Sequence, residues 1–351
     1  MDLRPAWYAT QLRAELALRN RIYARGRAHV ESYGSAPVVV YAPEGGVHGN
    51  FFDAAYAAIA ARPEWMRRFD KIHAQAARSL PKPQLDPTRR WRELDSSMSS
   101  DALLMNIFCT PGVAEFTAVR NALGVDTGVD AEAARIFHPN VEKLPLGAPV
   151  FGWKARVPLA SGRFDRTEID MRFGSLLVEA KLTEVGFQSR AAKVVESYRD
   201  FDAVFDRDQL PRTDIVTTRW IEASEFPENE SQELESLVGD PASFSRINSS
   251  FRAAGDPGYA SYQLIRGVLA AYAAGSSFCV LHDERRPDLR EEWFQVMAAV
   301  KSADLRVRLK VLTWQELAAL LPLALQEFLD LKYGIVAPGQ TPSPIAEVDL
   351  P

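Results

Sequence analysis

The stretch from Thr167 to Glu184, TEIDMRFGSLLVEAKLTE, restricts the possible folds of this chain more than any other. Read with a period of two, Ile169, Met171, Phe173, Leu176, Val178, Ala180 and Leu182 form an apolar row. Asp170, Arg172, Leu177, Glu179 and Lys181 fall on the other side. Strict alternation over this length specifies strands rather than a helix. Gly174-Ser175 suits a two-residue hairpin turn of type II′, with glycine at the first central position. Counting outward sets Phe173 opposite Leu176, Arg172 opposite Leu177, Met171 opposite Val178 and Asp170 opposite Glu179. Directly opposed side chains lie roughly 4.5–5.5 Å apart at Cβ, where like charges are destabilising. A positive group is therefore expected between Asp170 and Glu179, either a divalent cation or Lys181.

Two converging carboxylates suit a hard cation such as Mg²⁺, which takes oxygen ligands and retains waters. The carbonyl of Ala180 offers a third oxygen. Lys181, on the same face as Glu179, is placed to steady or deprotonate a water. A cation there polarises a phosphoryl oxygen and acidifies bound water. These are the parts of phosphodiester hydrolysis.

Asp170 followed by Glu179-Ala180-Lys181 resembles the active-site motif of the PD-(D/E)XK nuclease superfamily. HGNF at 48–51, WRELDSS at 91–97 and SSDALLMNIF at 99–108 are similar to one restriction-endonuclease-like family within it. The resemblance runs from residue 37 to about 330. It implies a Mg²⁺-dependent endonuclease, with Mn²⁺ as a substitute ion, acting on nucleic acid, DNA first. Asp170, Glu179 and the Ala180 carbonyl would bind metal, Lys181 would assist the water, and Gln263 would orient the site. Such enzymes often add an acid from a preceding element, for which Glu115, Glu132 and Glu142 are candidates. An acid at the position of Glu184 is also common, binding the lysine or facing water. The alternative is a non-catalytic nucleic-acid-binding relative, its carboxylates tied up by Lys181 and Arg172. A third reading makes Glu179–Lys181 a structural ion pair. Asp330-Leu-Lys332 has the same spacing, but in a helical pattern, where i and i+2 do not share a face.

The element order is helices, a strand meander, then alternating helix and strand. That is α/β: a restriction-endonuclease-like mixed sheet flanked by helices, with an N-terminal helical elaboration. A single elaborated domain is expected over 1–334, helical to about 90 and catalytic from about 91, with a disordered tail at 335–351. A net charge of −5 weakly opposes a nucleic-acid partner without excluding one. Cys109 and Cys279 lack metal-ligand spacing and read as buried thiols, and no apolar run reaches membrane-spanning length. The expectation is a cytoplasmic protein with no membrane contact, acting alone or as a homodimer.

Local signals set the remaining expectations. Helices are expected over 5–31, from a cap at Asn50 through Ala61, from Pro63, from Ser99 or Ser100, over 115–124, 188–205, 258–274 and 287–301, and after a Thr313 cap. Strands are expected over 36–41, 153–159, 277–281 and 306–312. On the last, Arg306, Arg308 and Lys310 form either a phosphate-facing stripe or a charged edge. His48 reads as structural, Asp165 as solvated and Glu168 as facing away from Asp170. Residues 223–243 read as a solvated connection.

Overall fold

The computed structural model describes residues 4–32, 38–71, 92–125, 148–215 and 256–345. Five strands form the main sheet: β1 (Val150–Lys154), β2 (Glu168–Phe173), β3 (Leu176–Ala180), β4 (Ser277–His282) and β5 (Leu309–Thr313). Their order is β5-β4-β3-β2-β1. The meander β1-β2-β3 is antiparallel, whereas β4 runs parallel to both β3 and β5. Parallel neighbours need crossovers, and helices supply them. Tyr262–Ala274 precedes β4 and Pro287–Ala298 follows it.

Helices cover both faces of the sheet, so both rows of the hairpin are buried. On one face Met171, Phe173, Val178 and Ala180 pack with Leu103, Ile107, Leu325 and Leu329. On the other, Leu177, Phe278 and Val280 pack with Leu264, Val268 and Trp293. That second layer explains the apolar Leu177 within the otherwise polar row. It is fully buried, at 0% exposure.

The hairpin register is the expected one from Phe173–Leu176 to Met171–Val178. Gly174 has φ 59° while Ser175 keeps an ordinary φ, the pattern of a type II′ turn. The ladder then stops, one step short of Asp170 and Glu179. Instead of facing Glu179 across a regular pair, Asp170 accepts a hydrogen bond on Oδ2 from the Ala180 amide at 2.8 Å. The β1–β2 ladder skips the same place, because Gly152, opposite Asp170, has φ 61°. This kink corrects the apolar row: Ile169 joins the core of Leu177 and Phe278, not that of Met171.

Several local expectations yield to tertiary contacts. The first helix, α1 (Arg4–Tyr23), ends early, since His29–Ser32 pairs antiparallel with Val38–Tyr41. The predicted 153–159 strand is split into Val150–Lys154 and Val157–Pro158. Residues 188–205 form no continuous helix: Arg190–Ala191 pairs with Asp256–Tyr259, which removes the start of the predicted 258–274 helix as well. Arg306 ends a short helix, and the other two basic groups of the supposed stripe bind backbone. Arg308 donates to Ser276 O at 2.8 Å and Lys310 to Leu123 O and Gly124 O at 3.1 Å.

Thr313 forms a capping box with Glu316, but Pro322 divides the predicted helix into Trp314–Ala318 and Leu323–Tyr333. The segment after Gly334 is ordered through residue 345: Ile335 is buried and Ser343 donates to Asp330. Lys332 is helical, as expected, and its Nζ donates to Asn20 Oδ1 at 2.7 Å inside the core. Glu132, Glu142, residues 223–243 and the tail from 346 lie outside the described residues. Among the described residues no helix is long and apolar enough to cross a membrane.

Candidate active site

The kink in β2 and the end of β3 open onto a cleft of about 630 Å³, whose lining includes Asp170, Lys181 and Gln263. Glu179 lies directly behind, only 1% exposed. Its Oε1 accepts from Lys181 Nζ at 2.6 Å, and its Oε2 is buried with no hydrogen-bond partner. An orphaned buried carboxylate oxygen is costly, which makes it a natural seat for a cation. Ala180, fully buried, separates Glu179 from Lys181 along the chain.

Charge is concentrated here. Burial holds the Asp170 carboxyl well above the ordinary carboxylate range, and the nearby charges of Glu179 and Asp101 push it further. Lys181 and the Ala180 amide only partly offset them. For Lys181, burial pulls the pKa down, but Glu179, Asp170 and Glu184 outweigh it and keep the amine charged above the ordinary lysine range. Five carboxylates line the cleft (Glu93, Asp101, Asp170, Glu184 and Glu292) against two ammonium groups, Lys71 and Lys181. Such a surface repels phosphate unless further positive charge enters. Among the described residues no group of three or more His, Cys, Asp or Glu side chains forms a ready-made metal cage. An ion here would therefore rest on Asp170, Glu179, backbone oxygen and water, a donor set that fits Mg²⁺.

Asp101 is the acid that reading the sequence misses. It occupies the first turn of the helix Ser100–Phe108, which Ser99 caps through the Ala102 amide. Its signal is the one carboxylate in a helix whose residues are all buried, though an acid in a first turn is ordinarily credited to the helix dipole. Glu115, by contrast, is exposed on the Val113–Glu115 turn and does not line the cleft.

The helix bearing Asp101 is fixed by the motifs that precede it. His48 Nε2 meets Asp95 at 3.0 Å, a structural role as expected. Asn50 caps no helix. Its side chain donates to Leu94 O at 2.7 Å and Ser96 O at 2.9 Å. Asn106 completes the lock, accepting from the Phe52 amide at 2.6 Å and donating to Asn50 O at 3.0 Å.

Two further carboxylates depart from expectation. Glu168 does not face away from the acids: Arg68 bridges it, at 3.0 Å, to Asp101, at 2.6 Å. Asp165 is not merely solvated, since it accepts from the Thr167 amide and from Tyr198 Oη at 2.6 Å. Glu184 takes neither of its two expected roles alone, accepting from Ser100 Oγ at 2.6 Å and from the Leu182 amide at 2.7 Å. Gln263 is half-buried at the cleft, and its backbone N–H donates to Phe187 O at 2.9 Å. Arg266, one turn on, points elsewhere and donates to Glu168 O at 2.8 Å. Arg172 donates to Gly174 O and lies over the Trp153 ring.

The family described as Restriction Endonuclease associating with ARP matches residues 18–334. No curated protein and no solved structure matches the chain.

Proposed function

The chain belongs to the family of Restriction Endonuclease associating with ARP, and from that premise we propose that it is a Mg²⁺-dependent endonuclease that hydrolyses phosphodiester bonds of DNA. The observation that carries this reading is the buried, partnerless Oε2 of Glu179 beside the raised carboxyl of Asp170, with Lys181 between cleft and acid. Asp170, Glu179 and the Ala180 carbonyl would hold the ion, and Asp101 would add negative charge from the neighbouring helix. The ion, with Mn²⁺ as substitute, supplies phosphoryl polarisation and a more acidic bound water.

The rest falls to the chain's own groups. Lys181, held by Glu179, steadies the attacking water and offsets charge building on the phosphate. The side-chain amide of Gln263, at the start of its helix, orients a carboxylate or a phosphate oxygen. Two buried free thiols suit a reducing compartment, here the cytoplasm. A homodimer would present two such clefts to one duplex.

The test is cleavage of plasmid DNA with Mg²⁺ by the wild-type protein, Asp170→Ala and Lys181→Ala, each checked for folding. Both variants should lose cutting while staying folded. Continued cleavage by either one would remove this site from the reaction. Metal-dependent DNA binding by the wild type with no cutting would instead select the non-catalytic relative.

A further inference from the structure

The cleft contains a second ammonium group to which the nuclease reading gives no task. Lys71 follows the turn Arg67–Asp70, with its side chain 41% exposed. Its Nζ lies 2.9 Å from Glu93, 3.5 Å from Asp101 and 4.0 Å from Glu168. Arg68 grips the same oxygens, Asp101 Oδ2 at 2.6 Å and Glu168 Oε2 at 3.0 Å, but its side chain is only 10% exposed. The two cations share two carboxylates and differ in freedom. The guanidinium is a planar fork seated in a space that Gly152 leaves open, since a Cβ there would meet its Nη1. The Lys71 ammonium is a compact charge on a flexible stem reaching through solvent.

Asp101 lines the same cleft as Asp170, and its charge acts on that carboxyl. Whatever positive charge settles at Asp170 and Glu179 is therefore repelled by the ammonium at Asp101. We infer that Lys71 is a displaceable counter-ion: it competes with the divalent ion for the Asp101 side of the acid cluster and, once displaced, binds a phosphate of the nucleic acid in the same cleft. This rests on the nuclease reading and adds a residue to it. Arg68 stays in place in both states.

The first test measures Mn²⁺ binding directly, by calorimetry or electron paramagnetic resonance, on the full chain without nucleic acid. Lys71→Met should bind Mn²⁺ about fivefold or more tightly than the wild type, the size of an ordinary coupling between sites. Lys71→Arg, which keeps the charge, should not. Unchanged or weaker Mn²⁺ binding by a folded Lys71→Met protein overturns the competition. Lys71→Gln serves for the same readout should the methionine variant fail to fold.

The second test follows binding of a DNA fragment in Ca²⁺ across salt concentration. Removing one phosphate contact should lower the slope of log K against log salt by about 1. An unchanged slope overturns the phosphate contact. The two readings fail separately: wild-type Mn²⁺ binding that Asp170→Ala leaves intact sinks the metal site itself. Binding lost in Asp170→Ala but unaltered in Lys71→Met sinks only the role of Lys71.

Discussion

At Gly152 a single missing atom shapes the site. Its φ of 61° is a left-handed conformation that side chains resist, and the space above it holds the Arg68 guanidinium. Gly152→Ala should cost about 1–3 kcal/mol of stability, read from the denaturant midpoint, and loosen the Arg68 bridge. A neutral result would mean the kink in β2 has another cause. Asp170 gives a second prediction. Burial first, then Glu179 and Asp101, hold its carboxyl well above the ordinary range. Between the unfolded value of about 4 and that raised value, the folded chain binds more proton than the unfolded chain. Without a divalent ion, stability conferred by this group is present at low pH and is lost as pH rises through the window. Asp170→Asn should therefore melt above the wild type near neutral pH, and the difference should vanish at about pH 4 and below. Mg²⁺ should raise only the wild-type melting temperature. A variant that melts lower at neutral pH contradicts the assignment.

At the scale of elements, the helix Ser100–Phe108 is packed by its apolar face and tied to the segments before it by Asn50 and Asn106. Asn50→Ala would strip the Leu94 and Ser96 carbonyls of a buried donor. A loss of roughly 2–4 kcal/mol is expected, from two buried acceptors left unsatisfied, measured by urea unfolding. Cleavage should fall with it, because Asp101 is carried on that helix. Full activity in the variant would show that the lock does not set the acid's position. The same scale explains the misread segment 188–205. Its helical spacing is real, but pairing of Arg190–Ala191 with Asp256–Tyr259 draws the chain into a strand, and ladder bonds outweigh weak helix propensity.

For the molecule as a whole, a net charge of −5 and a cleft rich in carboxylates leave little electrostatic attraction for a polyanion. DNA retention should therefore require a divalent ion. EDTA should abolish it in a filter-binding assay, whereas Ca²⁺ should restore binding without efficient turnover, since its looser coordination places the attacking water poorly. Equal cutting rates in Ca²⁺ and Mg²⁺ would count against the mechanism. The hairpin, its turn and its register as far as Met171–Val178 were legible in the residues from 167 to 184, because a period of two and a glycine turn are properties of near neighbours. The candidate trio of Asp170, Glu179 and Lys181 was legible for the same reason, as was the mixed sheet, which follows from the order of elements. The approach of Asp101 to Asp170, the grip of Arg68 and Lys71 on Asp101 and Glu168, and the change of side at Ile169 belong to tertiary structure alone. Those contacts join residues far apart in the chain, and their partners are chosen by how helices and strands cross, which no local spacing records.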